Sequence, residues 1–368
     1  MDLSKCNCDK AGFCPVFRRD MDEKNYHWCK STTKEKRIRY YEQNVGVYKE
    51  NPLEKTYNKF NFPKSYNIPS NIHEVEIVTF HFNPVKSKRL TETYYEFIDS
   101  LKNLGRHVKC YELVFDDNKP EIKNSIVIRG SLERNCLWQK ESLINIAFNN
   151  VEKHKKYFAW IDHDLISVNP NFLQEAVKKI DSGYDVVQLF DKIHYLDKCL
   201  IKNMYFSFGR IYVMLNENIQ RGRNPFGSPG GAWIGKIEKL KQIFPMPNII
   251  VGSGDEWFMY GIDKEQKHLG SLLKLYPEKC KRVFNVFREK VLDVEVTFNY
   301  IENEMFHLWH GDHKNRQYMT RHEIIINNNF DILTDSFINK DGILETTESK
   351  KDICKDIYKF FKNRKEDS

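Results

Sequence analysis

From residue 74 onward, apolar positions fall into short runs whose spacing switches between two and about 3.6 residues, the periods of strand and helix. Residues 74–80 (EVEIVTF) alternate toward an apolar run and predict a first strand. Residues 90–104 have helical spacing, with Tyr94, Phe97, Ile98 and Leu101 on one side and Gly105 as the stop. Strands are predicted at 107–115 and 126–128, a helix at 138–151, a strand at 157–161, a helix at 171–180 and a strand at 184–190. This β-α-β-α order predicts an α/β fold with a mostly parallel central sheet and helices on both faces. Ligands of such sheets bind beyond the carboxyl ends of the strands, where the strand order reverses.

The flanks differ. Residues 1–30 are cysteine-rich, and 31–73 are charged and Tyr/Asn-rich with Pro52, Pro63 and Pro69, the composition of a connector. After residue 200 regularity falls, and Gly, Pro and Trp gather at 222–235 and 252–261. Residues 291–309 read as a final strand-like segment. Residues 322–368 read as a charged, helical, peripheral tail, which leaves 74–321 as the main domain.

Composition narrows this picture. The 368 residues suit one large α/β domain with additions or two modest ones. Hydrophobic residues at 40% and aromatics at 14% support a sizeable core and exclude global disorder. The net charge of +7 is spread along the chain; it admits a nucleotide or nucleic acid without demanding one. No apolar run approaches the ~20 residues of a membrane helix. The opening MDLSKCNCDK lacks an apolar signal core, so a soluble, cytoplasmic protein is expected. In a reducing compartment Cys110, Cys136, Cys199, Cys280 and Cys354 read as small buried hydrophobes.

Five motifs carry candidate chemistry. In FAWIDHDL, an apolar run enters Asp162 and Asp164, whose i, i+2 spacing puts both carboxylates on one side of an extended chain. Such a pair can hold Mg²⁺ or Mn²⁺; the bland alternative is that Asp164 caps a turn and Asp162 is solvated. Gly230 and Gly231 let a backbone approach a ligand closely, and Trp233 offers a face for a sugar ring, or the segment is simply a tight turn. Asp255 and Glu256 follow a Gly-rich turn, either as acids at a helix N-terminus or as a general base. His307 and His310 precede a cationic loop with Lys314 and Arg316, a set suited to a metal and a diphosphate. Lys140 and Asn145 lie on the helix before the Asp-rich strand and are candidates to face a nucleotide.

Cys6, Cys8, Cys14 and Cys29 have the spacing C-x-C-x5-C-x14-C, with His27 nearby. Four thiolates can close a structural zinc-knuckle-like Zn²⁺ site in a segment too short for its own core; the alternative is free thiols or a redox pair.

Taken in order, the motifs resemble a GT-A (Rossmann-like) glycosyltransferase, most similar to the β-1,4-galactosyltransferase and polypeptide GalNAc-transferase group. In that group a Phe-Gly-Gly turn precedes a Gly-Gly-Glu-Asp segment, and a later His-Ser-x-Asp-Lys-Lys-Asn stretch carries a metal ligand. Here Gly230-Gly231, Gly254-Asp255-Glu256 and His310-Gly-Asp-His-Lys314-Asn315 stand in the corresponding places. The acid order is inverted, so both Asp255 and Glu256 remain candidates for the base. The resemblance implies a nucleotide-sugar donor, UDP-sugar first, and a glycan or other hydroxyl acceptor. It implies Asp162 toward the nucleoside, Asp164 on Mn²⁺ or Mg²⁺, His310 or His307 as a further ligand, and inversion by single displacement. Rival readings are a zinc-containing nucleic-acid-binding protein, a transferase acting on modified nucleic-acid bases, and a sugar-binding protein without turnover.

Overall fold

The structure, a computed structural model, describes residues 13–14, 19–20, 62–198, 202–216, 227–263, 276–318 and 320–368. Near the start, β1 (Phe13–Cys14) and β2 (Arg19–Asp20) pair antiparallel. Of the cysteine head, Cys6, Cys8 and Cys29 lie outside the described residues, and only the backbone of Cys14 is described.

The main body begins with β3 (Val75–Phe82), α1 (Lys88–Leu101), β4 (Val108–Phe115), β5 (Ile126–Gly130) and α2 (Lys140–Asn149). It continues with β6 (Tyr157–Ile161), β7 (Leu165–Ser167), α3 (Phe172–Asp181), β8 (Val186–Gln188), β9 (Lys192–Leu196) and β10 (Lys202–Phe206). Then come β11 (Ala232–Lys236), α4 (Gly254–Ile262), α5 (Glu278–Val291), β12 (Phe298–Tyr300) and β13 (Glu304–His307). Among the described residues, seven strands form one sheet in the order β12-β8-β11-β6-β3-β4-β5. It is mostly parallel, as the pattern predicts, but β11 runs antiparallel to both β6 and β8. β6, in the middle of the sheet, is buried on both faces, which is why it reads as an unbroken apolar run.

Alternation along β6 feeds two cores. Phe158 and Trp160 pack with Leu143, Trp257 and Phe258 on one face; Tyr157, Ala159 and Ile161 pack with Phe97, Phe172 and Ile180 on the other. From β3 the chain moves outward to β4 and β5, then returns to β6 on the other side of β3. The switch point therefore lies between the carboxyl ends of β3 and β6.

Two expectations are corrected. Residues 291–309 are not one strand: Val291 closes α5, β12 joins the main sheet, and β13 joins a four-stranded sheet, β10-β9-β13-β7. The turn between them is pinned by Asn303, whose backbone N–H donates to Asp191 Oδ1 (3.0 Å) and whose amide donates to the Leu189 carbonyl (2.7 Å). The stretch after 322 is not peripheral. It is helical only in part, with a hairpin of β14 (Ser336–Ile338) and β15 (Leu344–Thr346) before α6 (Ile353–Asn363). Ile325, Phe330, Ile343, Ile353, Ile357, Phe360 and Phe361 belong to the main core. The i, i+4, i+7, i+8 stripe of α6 faces inward, and its many charges occupy the other side.

Cys110, Cys136, Cys280 and Cys354 are buried free thiols, as expected; Cys199 lies outside the described residues. Among the described residues no helix is long and apolar enough to cross a membrane.

Candidate active site

A cleft of about 460 Å³ opens at the switch point. The carboxyl ends of β3, β6 and β13 line it, and the turn before β11 and the start of α4 close it. Its size is that of a small-molecule or cofactor site.

The triplet Asp162-His163-Asp164 leaves the end of β6 and divides between two neighbourhoods. The β13–β7 pairing sets His307 opposite Leu165, and the Leu308 N–H donates to the Asp164 carbonyl (2.7 Å). Asp164 Oδ2 thus lies 3.3 Å from His307 Nε2 and 2.9 Å from His310 Nε2. Ligand atoms of Asp164, His307 and His310 all lie within 4.8 Å of one another. His307 directs Nδ1 to the Leu308 carbonyl at 2.8 Å, so its neutral ring turns a bare Nε2 lone pair toward the carboxylate. Burial keeps it neutral, with its pKa pushed down to about 3. Two acceptors facing each other need a cation or donor between them, and Arg316 is at hand: Nη2 is 2.8 Å from His310 Nε2, and Nη1 is 3.5 Å from His307 Nε2. Asp164 Oδ1 is buried without a partner. Burial alone would raise the Asp164 pKa, but positive charge and hydrogen bonding around His307 and His310 outweigh it and hold the carboxyl well below the usual range. Two imidazole nitrogens and an ionised carboxylate with spare acceptor capacity fit a divalent cation.

Asp162 stands apart from that cluster. Lys140, at the start of α2, places Nζ 2.7 Å from Asp162 Oδ1 and 2.7 Å from Asp255 Oδ2. Burial and the neighbouring carboxylates Asp255 and Asp164 push the Asp162 carboxyl up despite Lys140. Glu141 is more buried still, with neither oxygen hydrogen-bonded, and burial plus Asp255 push its pKa up to about 8. Its carboxyl lies where a Cβ on Gly254 would sit, so the glycine at the start of α4 is required by that approach.

Gly230 and Gly231 line the cleft, and packing constrains both. Gly231 has φ +105°, and a Cβ on Gly230 would lie 2.7 Å from Asp255 Oδ2. Asp162 N–H donates to the Gly231 carbonyl (2.7 Å), which joins the turn to the triplet. Glu256 faces the cleft, and burial raises its pKa against the hydrogen bond that Tyr276 donates to it.

Three sequence candidates fall elsewhere. Trp233 is 1% exposed, sits opposite Trp160 in the sheet, and donates its indole N–H to the Pro229 carbonyl (2.8 Å); no sugar can reach its face. Asn145 spends its amide on Met246, donating to the carbonyl (3.1 Å) and accepting from the N–H (2.8 Å). Lys314 points to solvent, 3.6 Å from Asp312, while Arg316 of the same loop turns inward.

Sequence reasoning missed other groups at and behind the cleft wall. His81 bridges His163 (3.4 Å) and Glu121 (3.1 Å), and Glu121 also accepts from Asn83 and Thr91. Arg321, Arg364 and Glu366 are buried at the cleft wall. His81, at the carboxyl end of a predicted strand, carried a positional signal; the last two sit in a stretch read as a tail.

No family model and no curated protein matches this chain. Among solved structures it is similar to Drosophila β1,4-galactosyltransferase 7, in one case described with manganese, UDP-Gal and xylobiose. Identities are 14% and 15%, TM-scores 0.29 and 0.30, and coverage 62% of this chain. The chain spans 64% of the length of those structures. It is also similar to glucosyl-3-phosphoglycerate synthase from Mycobacterium tuberculosis, at 12% identity and TM-score 0.36 over 74% of this chain and 86% of that one. The chemistry of the cleft has to come from its own geometry.

Proposed function

We propose that this chain is a metal-dependent glycosyltransferase of the GT-A type, moving a sugar from a nucleotide donor to a hydroxyl acceptor with inversion. The observation that carries the reading is the Asp164–His307–His310 cluster at the switch point, where bare acceptor atoms converge in a cleft of ligand size. A divalent cation held by Asp164, His307 and His310 would supply positive charge against a departing diphosphate. Two imidazoles in the set suit Mn²⁺ better than Mg²⁺, which prefers oxygen ligands.

The chain's own groups divide the remaining work. Arg316 places a second positive charge beside the cluster and so stabilises the nucleoside diphosphate as it leaves. Asp255 is already held by Lys140. That leaves Glu256 to take the acceptor proton; burial brings its pKa nearer the working pH, as a general base requires. The acceptor oxygen bonds to the anomeric carbon, the bond to the diphosphate breaks, and the proton passes to Glu256. A UDP-sugar is the donor tried first.

Calorimetric titration with UDP- and GDP-sugars, with and without Mn²⁺, tests this. Metal-dependent binding of one nucleotide is the expected result; binding of none in either condition would sink the reading.

A further inference from the structure

The segment after α6 holds the cation cluster from behind. His310 Nε2 lies between Arg316 Nη2 (2.8 Å) and Asp164 Oδ2 (2.9 Å), and the tautomer that offers a cation a lone pair there carries its proton on Nδ1. On the Nδ1 side stands Glu366, with Oε1 at 3.4 Å, within ion-pair reach though not in hydrogen-bond geometry. We propose that Glu366 is a positioning residue for His310: its carboxylate fixes the ring and tautomer that present Nε2 to a cation alongside Asp164 and His307. A carboxylate on the far nitrogen of a ligating imidazole also raises the basicity of the near one. The proposal rests on the cation reading of that cluster.

Glu366 is not an idle surface acid. It is 5% exposed, and Arg364 Nη2 holds the same oxygen at 2.7 Å. The segment is fastened on both sides of it. Asp367 Oδ1 accepts from Ser87 Oγ (2.7 Å) and from the Arg89 N–H (2.8 Å) at the entry to α1. Gly311, directly after His310, has φ +85°, and a Cβ there would lie 2.8 Å from the Arg364 carbonyl oxygen. Upstream, Phe361 stacks on Trp138 at 6.1 Å. Backbone contact on the His310 side and hydrogen bonds on the α1 side leave the carboxylate little freedom to leave His310.

The test is Mn²⁺ titration of the full chain, followed by the electron paramagnetic resonance signal of the free ion. It compares wild type, D164N, E366Q and R364Q, with melting curves in EDTA alongside. Wild type is expected to bind Mn²⁺ and D164N to lose it. E366Q should bind about 10–100-fold more weakly, with its EDTA melting curve little changed. R364Q removes the ion pair yet leaves the carboxylate on His310, so it should weaken binding far less. Unchanged Mn²⁺ affinity in E366Q overturns the proposal, and so does equal weakening by R364Q, which would assign the effect to the ion pair. Wild type that binds no Mn²⁺ instead overturns the cation reading on which the proposal stands. Should E366Q fail to fold, E366D takes its place: it keeps the charge for Arg364, shortens the reach to His310, and is judged by the same comparison.

Discussion

Asp162 and Asp164 are two residues apart, chemically identical and on one turn, yet the two sides of the cleft treat them oppositely. Around Asp164 the neighbours are the imidazoles of His307 and His310 with Arg316 beside them, and its carboxyl is driven down. Around Asp162 the neighbours are other carboxylates sharing one lysine, and its carboxyl is driven up. One side is an ionised acceptor set with capacity to spare; the other already contains its cation. A pair of aspartates at this spacing is therefore not a symmetric metal clamp. The tertiary surroundings decide which member keeps free acceptor capacity and which is tied to the scaffold.

The sharpest way to break this comparison is to remove each carboxylate in turn. D164N should abolish Mn²⁺ binding and lower kcat/KM by about 10³-fold or more, several kcal/mol of charge stabilisation. D162N should retain Mn²⁺ binding; equal losses in the two variants would erase the asymmetry. E256Q should lower kcat by about 10²–10⁴-fold while Mn²⁺ and nucleotide binding persist. Because burial raises the Glu256 pKa, the acid limb of kcat/KM in wild type should have its midpoint above 4.5.

On the lysine side the effects move from activity to stability. K140M leaves Asp162 and Asp255 facing each other without their cation and should cost about 2–4 kcal/mol in urea unfolding. E141Q should do the reverse. Glu141 has a folded pKa of about 8, above its ordinary 4.5, so below 4.5 both folded and unfolded chains are protonated. As pH rises from 4.5 to 8 the unfolded chain loses that proton and the folded one keeps it, so wild type loses stability across that window. E141Q escapes this loss and should be more stable by about 1–3 kcal/mol at pH 8, with little gain at pH 4.5. The smallest effect belongs to K314A: an exposed lysine with a single partner at 3.6 Å should change neither melting temperature nor activity measurably.

Much of the scaffold was legible because it is local. The strand at 157–161 and the start of β3 follow from apolar runs buried on both faces, and Gly105 lies in the turn that ends α1 and its extension. The position of the triplet at a strand end was legible for the same reason. The partners were less so. His307 and His310 were candidates by sequence, but their meeting with Asp164 depends on β13 pairing with β7, a contact between segments 140 residues apart on the chain in the pairing of Phe306 with Ile166. Trp233 and Lys314 were misplaced because a motif specifies residue types and not which face of a strand or loop each occupies.

What the sequence by itself determined here is the order of elements, the apolar runs that become the sheet, and the strand end where acidic chemistry gathers. Periodicity of two or 3.6 residues is a property of neighbours in the chain, and burial follows it directly. Only the tertiary structure decided how the triplet divides, which two acids share Lys140, and that a segment read as a charged tail brings Glu366 to His310. Those outcomes depend on which charges meet after burial removes water, and pairing across long chain separations carries no local period to betray it.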